Sequence, residues 1–403
     1  LIIYFYFNIK NNIYAIHLTL LCEKYCIMKN TVLYFCLSLL LFSCSKRVVQ
    51  TEPVTKNQKY PKNIILMIGD GMGLAQISAG LYSNGNHLNF ERFTEIGLHK
   101  SYSGNNLITD SAAGATAFSC GCKSYNGAIG VKLDSTTCKT IMESLKEKGL
   151  TTGLLVTCSI THATPACFYA HQPSRALDEN IASDLVKSDV DFFIGGGKKF
   201  FDRRSTDDRN LVQELKNKAY IIQDYFQDDL TKENFDATKK YGFFTADDSP
   251  LPSTQGRDYE INVVDKSLNY LNTRGNKNGF FYMIEGSQID WGGHAANSDW
   301  IISEVKNFDA TIGKVLDFAK KDGNTLVIVT ADHETGGYAI LEGSKTGSII
   351  GGFADKGKPN SKSLNHTGSL IPVFAYGPGA ENFRGIYENT AIFDKIKSLT
   401  INK

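Results

Sequence analysis

Several short stretches of the chain put carboxylates, imidazoles or a hydroxyl where they can do chemistry. Asp70 sits in Gly69-Asp70-Gly71-Met72-Gly73, directly after the apolar run 63–68. The glycines imitate a dinucleotide fingerprint, but the third glycine position is Leu74 or Ala75, and a carboxylate would repel a pyrophosphate. A carboxylate on a glycine turn suits a cation instead; an Asp-Gly pair by itself marks only a tight turn. In Thr109-Asp110-Ser111-Ala112-Ala113-Gly114 a polar start runs into an alanine-rich stretch, which predicts a helix opening near Asp110. Ser111 would lie in its first turn, where free N–H groups and the positive helix end favour an oxyanion or a transferring phosphate. A plain helix cap is the alternative. No Gly-x-Ser-x-Gly elbow surrounds Ser111, which speaks against an α/β-hydrolase triad. Asp290 and His294 are four residues apart, so one helical turn would put both on one face, a spacing that suits zinc. Asp332-His333 follows the run 325–330, and His366 precedes the run 370–376. A lone histidine is more often a hydrogen-bonded core or surface residue. Three of them beside Asp or Gly at strand boundaries fit two zinc ions with mixed His and Asp ligands.

These residues need a scaffold that brings them to one edge. Apolar runs with β-branched or aromatic content occur at 63–68, 152–157, 191–194, 280–284, 325–330 and 370–376, each followed by a polar or glycine-containing turn. Between several of them lie amphipathic stretches, such as Val305, Phe308, Ile312, Val315, Leu316 and Ala319, with a helical period. Buried, mostly parallel strands with helices on both faces are the expected α/β arrangement. Residues 198–257 are more polar and irregular and read as an elaboration on the core sheet. The Gly-, Ser- and Lys-rich stretch 343–362 reads as a long loop.

The N-terminus follows other rules. Residues 1–27 begin with Leu and read as translated upstream sequence. Met28, Lys29 and the apolar run 31–42 read as a signal peptide spanning 28–43, too short to cross a bilayer as a helix. Leu41-Phe42-Ser43-Cys44 resembles a lipobox, so Cys44 is a candidate lipidation site, with a polar tether over 44–60 before a catalytic domain at 61–403. This implies export to the periplasm of a bacterium and a membrane lipid anchor. The full chain of 403 residues has 43 basic and 42 acidic side chains. Removing 1–43 leaves 40 and 41, so nothing in its charge is built for nucleic acid. Disorder, collagen and coiled coil are excluded by composition. Six of nine cysteines remain after residue 43, and their pairing cannot be read from sequence.

In order along the chain, IGDGMG, ITDSAAGATA, THATPA followed by PSR, IEGSQIDWGGHAAN, VTADHETGG and NHTGS resemble the alkaline phosphatase family, from residue 62 to about 393. The resemblance implies a three-layer α/β/α sandwich around a large, mostly parallel sheet, and hydrolysis of small-molecule phosphate monoesters through a phosphoserine intermediate. It implies two zinc ions and one magnesium ion. Asp290, His294 and His366 match the first zinc site; Asp70, Asp332 and His333 match the second, beside the nucleophile Ser111. Asp70 also matches the third, magnesium site, with Thr164 and Glu285. Arg175 matches the arginine that grips phosphate. His162 and Trp291 stand where enteric bacterial members carry Asp and Lys. The first implies competition from zinc at the third site; the second implies weaker binding of product phosphate.

Other readings use the same residues. A phosphodiesterase or sulfatase of the same superfamily shares the two-metal core, but Ser111 with Thr164 and Glu285 points to monoesters. An inactive zinc-binding surface lipoprotein would also keep the ligands. Whether the chain acts alone or as a homodimer is left open.

Overall fold

The computed structural model describes residues 60–354 and 365–400. Cys44 and the expected upstream extension, signal peptide and tether lie outside the described residues, Tyr60 excepted. Ten strands form one sheet among the described residues: β1 (Asn63–Gly69), β2 (Glu95–Lys100), β3 (Thr151–Ser159), β4 (Phe192–Gly196), β5 (Tyr220–Asp224), β6 (Lys240–Phe244), β7 (Phe280–Gly286), β8 (Thr325–Thr330), β9 (Ile371–Tyr376) and β10 (Gly385–Glu388). Their order is β10-β2-β9-β8-β1-β7-β3-β4-β6-β5. Every neighbouring pair is parallel except those of β9, which runs antiparallel to both β2 and β8.

Alternation along the central strands sorts side chains into two cores. Ile64, Leu66 and Ile68 of β1 pack with Leu154, Val156, Phe281 and Met283 on one face; Ile65 and Met67 pack with Leu155, Tyr282 and Ile284 on the other. Because both faces are buried, β1 shows no polar alternation and reads as a continuous apolar run. Each fully buried Ile, Leu or Met contributes about 1.5–3 kcal/mol. The main helices are α1 (Leu74–Ser83), α2 (Ser111–Cys120), α3 (Ile141–Glu147), α4 (Asp178–Lys187), α5 (Tyr259–Arg274), α6 (Gln288–His294), α7 (Ser298–Asp322) and α8 (Ala391–Thr400). Helices α2, α3, α4 and α8 cover the first face, and α1, α5 and α7 the second. This is the expected sandwich, and all six expected apolar runs are strands. The helical pattern 305–319 lies within α7, capped by the Asn297 side chain, which accepts from Trp300 N.

The segment 198–257 is more regular than its composition suggests. It supplies β5 and β6, which extend the sheet in parallel beyond β4. The described part of 343–362 is also not wholly loop, since Gly351–Phe353 pairs antiparallel with Tyr338–Ile340.

Candidate active site

Strands β1, β3, β7 and β8 end at the same edge, and the turn after each delivers a functional side chain. Asp70 follows β1, His162 and Thr164 follow β3, Glu285 lies in the last turn of β7 with Asp290 just beyond, and Asp332 and His333 follow β8. Because β9 is reversed, the residues entering it come to this same edge. There the short pair Glu334–Thr335 and His366–Thr367 carries His366 to the cluster. Ligands in α/β sheets sit in this region outside the carboxyl ends of the strands. Gly71 has φ +72°, and a Cβ there would lie 2.7 Å from Asp290 Cα, so only glycine lets the Asp70 turn approach α6.

Two ligand clusters form, with lone pairs aimed inward. In the first, His294 Nε2 is 3.2 Å from Asp290 Oδ2, and His366 Nε2 is 3.1 Å from His294 Nε2. His366 Nδ1–H donates to the Thr109 carbonyl oxygen at 2.8 Å, which leaves Nε2 bare in the neutral ring. In the second, the Thr335 hydroxyl donates to Asp290 and accepts from His333 Nδ1–H at 3.2 Å. His333 Nε2 is therefore bare too. It lies 3.2 Å from Asp332 Oδ2, 3.5 Å from Asp70 Oδ1 and 3.2 Å from Ser111 Oγ. The His333 and His366 rings stack at 3.5 Å between centroids, so the two clusters adjoin. Thr335 was not among the expected residues; its place two positions after His333 in the ADHETGG string was the available signal.

Ser111 opens α2 as expected, with Asp110 as N-cap accepting from Ala113 N at 3.0 Å. Asp110 does more than cap. Its Oδ2 accepts from Gly127 N at 2.9 Å and from Arg175 Nη1 at 3.1 Å, so one carboxylate ties the helix that Ser111 opens to the guanidinium. Asn126 Oδ1 in turn accepts from Asp110 N at 3.2 Å. Nothing in the residue string foretells this three-way joint. A polar cleft of about 550 Å³, lined by Ser111, Arg175, Asp290, His294 and His366, opens above it.

A third group gathers Cys158, His162 and Glu285, with Thr164 buried nearby. Asp70 Oδ2, Thr164 Oγ1 and Glu285 Oε1 are buried without a hydrogen-bond partner within 3.5 Å. Arg175 Nη2 donates to His162 Nε2 at 3.2 Å, so the neutral ring carries its proton on Nδ1. The Cys158 thiol, pushed far up by burial, donates to Glu285 Oε2 at 3.4 Å. His162 and Cys158 thus face this group as proton donors, and its free lone pairs belong to oxygen atoms. Trp291 meets His162 edge-on, with centroids 5.9 Å apart.

The electrostatics call for cations. Burial, then the charges of Asp332, Asp290 and Glu285, push the Asp70 carboxyl well up. Burial raises Glu285 to about 7, and burial with the Asp290 charge raises Asp332 to about 7. Burial also works to raise Asp290, but hydrogen bonding from His294 and the other imidazoles hold it far below the usual range. His162 is lowered to about 3 by burial and by Arg175, and burial lowers His333. Convergent bare nitrogens and carboxylates in a buried edge fit divalent metal: N/O sets for zinc in the first two clusters, and an oxygen set for magnesium in the third.

Comparison with known proteins agrees with this geometry. The family model described as "Alkaline phosphatase" matches residues 61–350. The chain is 34% identical to alkaline phosphatase 3 of Bacillus subtilis, over 86% of this chain and 90% of that one. It is 31% identical to the Escherichia coli alkaline phosphatase, over 85% and 86%. The solved alkaline phosphatase of the Antarctic bacterium TAB5 superposes with a TM-score of 0.78 at 45% identity, covering 85% of this chain and 99% of that one. A His-to-Asp variant of the TAB5 enzyme has Mg bound in its M3 site.

Proposed function

Because the chain belongs to the alkaline phosphatase family, whose members are phosphomonoester hydrolases, we propose that it cleaves phosphate monoesters through a covalent phosphoserine on Ser111. The observation that carries this reading is the position of Ser111 Oγ. It lies at the N-terminus of α2, 3.2 Å from His333 Nε2 and 3.4 Å from Asp70 Oδ1, on the floor of a cleft that also holds Arg175.

Asp290, His294 and His366 would hold one zinc ion, and Asp70, Asp332 and His333 a second. When bound, such ions supply Lewis acidity that lowers the pKa of a hydroxyl or water and offsets charge on the leaving oxygen. The protein's own groups do the rest. Ser111 gives up its hydroxyl proton to solvent and attacks phosphorus in line, its Oγ–P bond forming as the ester P–O bond breaks and the leaving alkoxide takes a proton from water. The free N–H groups of the first turn of α2 and the planar fork of Arg175 hold the phosphoryl oxygens. Asp110 fixes the direction of that fork. Water then attacks the same phosphorus from the opposite side, returning Ser111 and releasing inorganic phosphate.

The third site is proposed to take magnesium through Asp70, Thr164 and Glu285. The pairing of His162 with Arg175 supports this, because zinc would need the imidazole to give up its Nδ1 proton and present that nitrogen instead. Export and a lipid anchor at Cys44 belong to the same proposal; among the described residues no helix is long and apolar enough to cross a membrane.

The test is mass spectrometry of protein incubated with an aryl phosphate monoester and quenched in acid, with metal quantified on the same sample. A phosphate adduct on Ser111 with about two zinc ions per chain is expected. Zinc without adduct, or turnover of diesters alone, would overturn the proposal.

A further inference from the structure

Three thiols meet where the nucleophile's helix ends. Cys120 is the last residue of α2, Gly121 reverses the chain with φ +69°, and Cys122 follows. Cys138 returns to the same place just before α3. Cys122 Sγ lies 2.8 Å from Cys138 Sγ, within about 1 Å of the bonded sulfur distance of ~2.05 Å. Cys120 instead turns its thiol to the Cys138 carbonyl oxygen, at 3.1 Å. Cys122 is half-buried and reachable; Cys120 and Cys138 are buried. None of these thiols takes part in the metal clusters.

We propose that Cys122 and Cys138 are a disulfide site, and that their bond staples the loop 122–138 under the phosphate-binding groove. The loop they would close carries Asn126 and Gly127. Asn126 accepts from Asp110 N, Gly127 N donates to Asp110, and the Gly127 carbonyl accepts from Arg175 N at 2.7 Å. A cross-link between two residues sixteen positions apart therefore restrains both groups that orient the guanidinium. The neighbouring Cys120 and Cys122 thiols hold the Cys138 thiol well below its ordinary range, which favours the thiolate as attacking group.

Formation needs an external disulfide, of the class of oxidised glutathione or a thiol–disulfide oxidoreductase. Cys122, the reachable partner, passes its proton to the Cys138 thiolate 2.8 Å away as it attacks one sulfur of that disulfide, and the expelled thiolate then takes that proton up. The Cys138 thiolate then attacks Cys122 Sγ and expels the second. The protein loses two electrons and two protons, and the oxidant leaves as two thiols.

The experiment equilibrates the full-length, metal-loaded protein with oxidised or reduced glutathione, quenches it in acid, alkylates free thiols and digests with trypsin without reduction. Cleavage after Lys100, Lys123, Lys132 and Lys139 places Cys138 in the peptide 133–139 and Cys120 with Cys122 in 101–123. The expected result is a linked pair of these peptides, two hydrogens lighter than their sum, present in Cys120→Ser and absent in Cys122→Ser. Wild-type peptides that are separately alkylated after oxidation would overturn the site, and a link that survives in Cys122→Ser would reassign it to Cys120. The oxidised protein is expected to melt about 5 °C above the reduced one, a gap that vanishes in Cys122→Ser. A linked protein with no gap would overturn the stapling role. None of these readouts depends on turnover, so they stand apart from the test of Ser111.

Discussion

At the scale of single residues, the shared carboxylate of Asp110 is the least expected part of the site. It caps α2, accepts from Gly127 N and accepts from Arg175, so the nucleophile and the guanidinium take their positions from one side chain. A lysine at 175 would keep the charge but lose the planar fork. Arg175→Lys is expected to raise KM for an aryl phosphate about tenfold with a smaller effect on kcat, and steady-state kinetics at saturating metal would check it. A fall in kcat with KM unchanged would mean that the fork acts only in the transition state. Ser111, Asp290, His294, Asp332 and His333 were legible because each stands at a boundary between an apolar run and a polar turn. Asp110 and Thr335 were not, because their partners lie far away: Arg175 is 65 residues from Asp110, and Asp290 is 45 from Thr335. The tautomer of His162 was hidden for the same reason. It depends on which neighbour donates to Nε2, and that neighbour is set by packing.

At the scale of elements, the turn after β1 and the start of α3 each have a measurable stake. Gly71→Ala would force a side chain into a left-handed backbone and against the backbone of Asp290. It is expected to cost at least about 1–2 kcal/mol in stability, and to lower zinc content on metal analysis because Asp70 and Asp290 would be driven apart. Unchanged zinc and melting temperature would contradict that. His171 joins α3 to the loop before it, with Nδ1 2.7 Å from the Gly130 carbonyl oxygen and Nε2 3.1 Å from Glu143 Oε1. Burial alone would lower its pKa, but the bonds to Glu143 and Gly130 outweigh it, and the ring stands above its ordinary 6.5. The folded state therefore binds the proton more tightly than the unfolded chain. This stabilisation is complete below about pH 6.5 and disappears as pH rises through the folded value. The melting-temperature gap between wild type and His171→Leu is expected to shrink from about pH 6 to about pH 9 by calorimetry, and a constant gap would show that the charge is idle. Three of the strands missed by the sequence reading, all at the ends of the sheet, have a common cause. β2 at one end of the sheet and β5 at the other mix exposed with buried positions over five or six residues, and the four residues of β10 are exposed or half-buried throughout. That leaves no continuous apolar run of the kind that marks β1, β7 and β8. The reversal of β9 is not written in its residues at all, because direction is set by the connection and not by the strand.

At the scale of the whole molecule, the buried carboxylates make stability conditional on metal. With chelator present, Glu285 and Asp332 titrate near 7 and Asp70 is raised, so the folded protein keeps protons that the unfolded chain has released by about pH 5. Its stability must then fall as pH rises through those values. His162 and His333 are lowered and act in the opposite sense until about pH 7.5, where the unfolded imidazole is neutral, but they are two groups against three. The melting temperature of chelated protein is therefore expected to drop from about pH 5 to about pH 8 while that of the loaded protein holds, and a parallel pair of curves would refute it. The same edge has a consequence in time. Ser111 contacts His333 across 222 positions, Gly71 N donates to Asp332 across 261, and His366 reaches the edge only because the reversed strand β9 follows it. A growing polypeptide emerging from a ribosome or a translocation pore carries its nucleophile early and its last imidazole late. Phosphate-ester cleavage is thus withheld until His366 has been delivered, and the onset of turnover during synthesis would mark the arrival of that imidazole and not the folding of any early part.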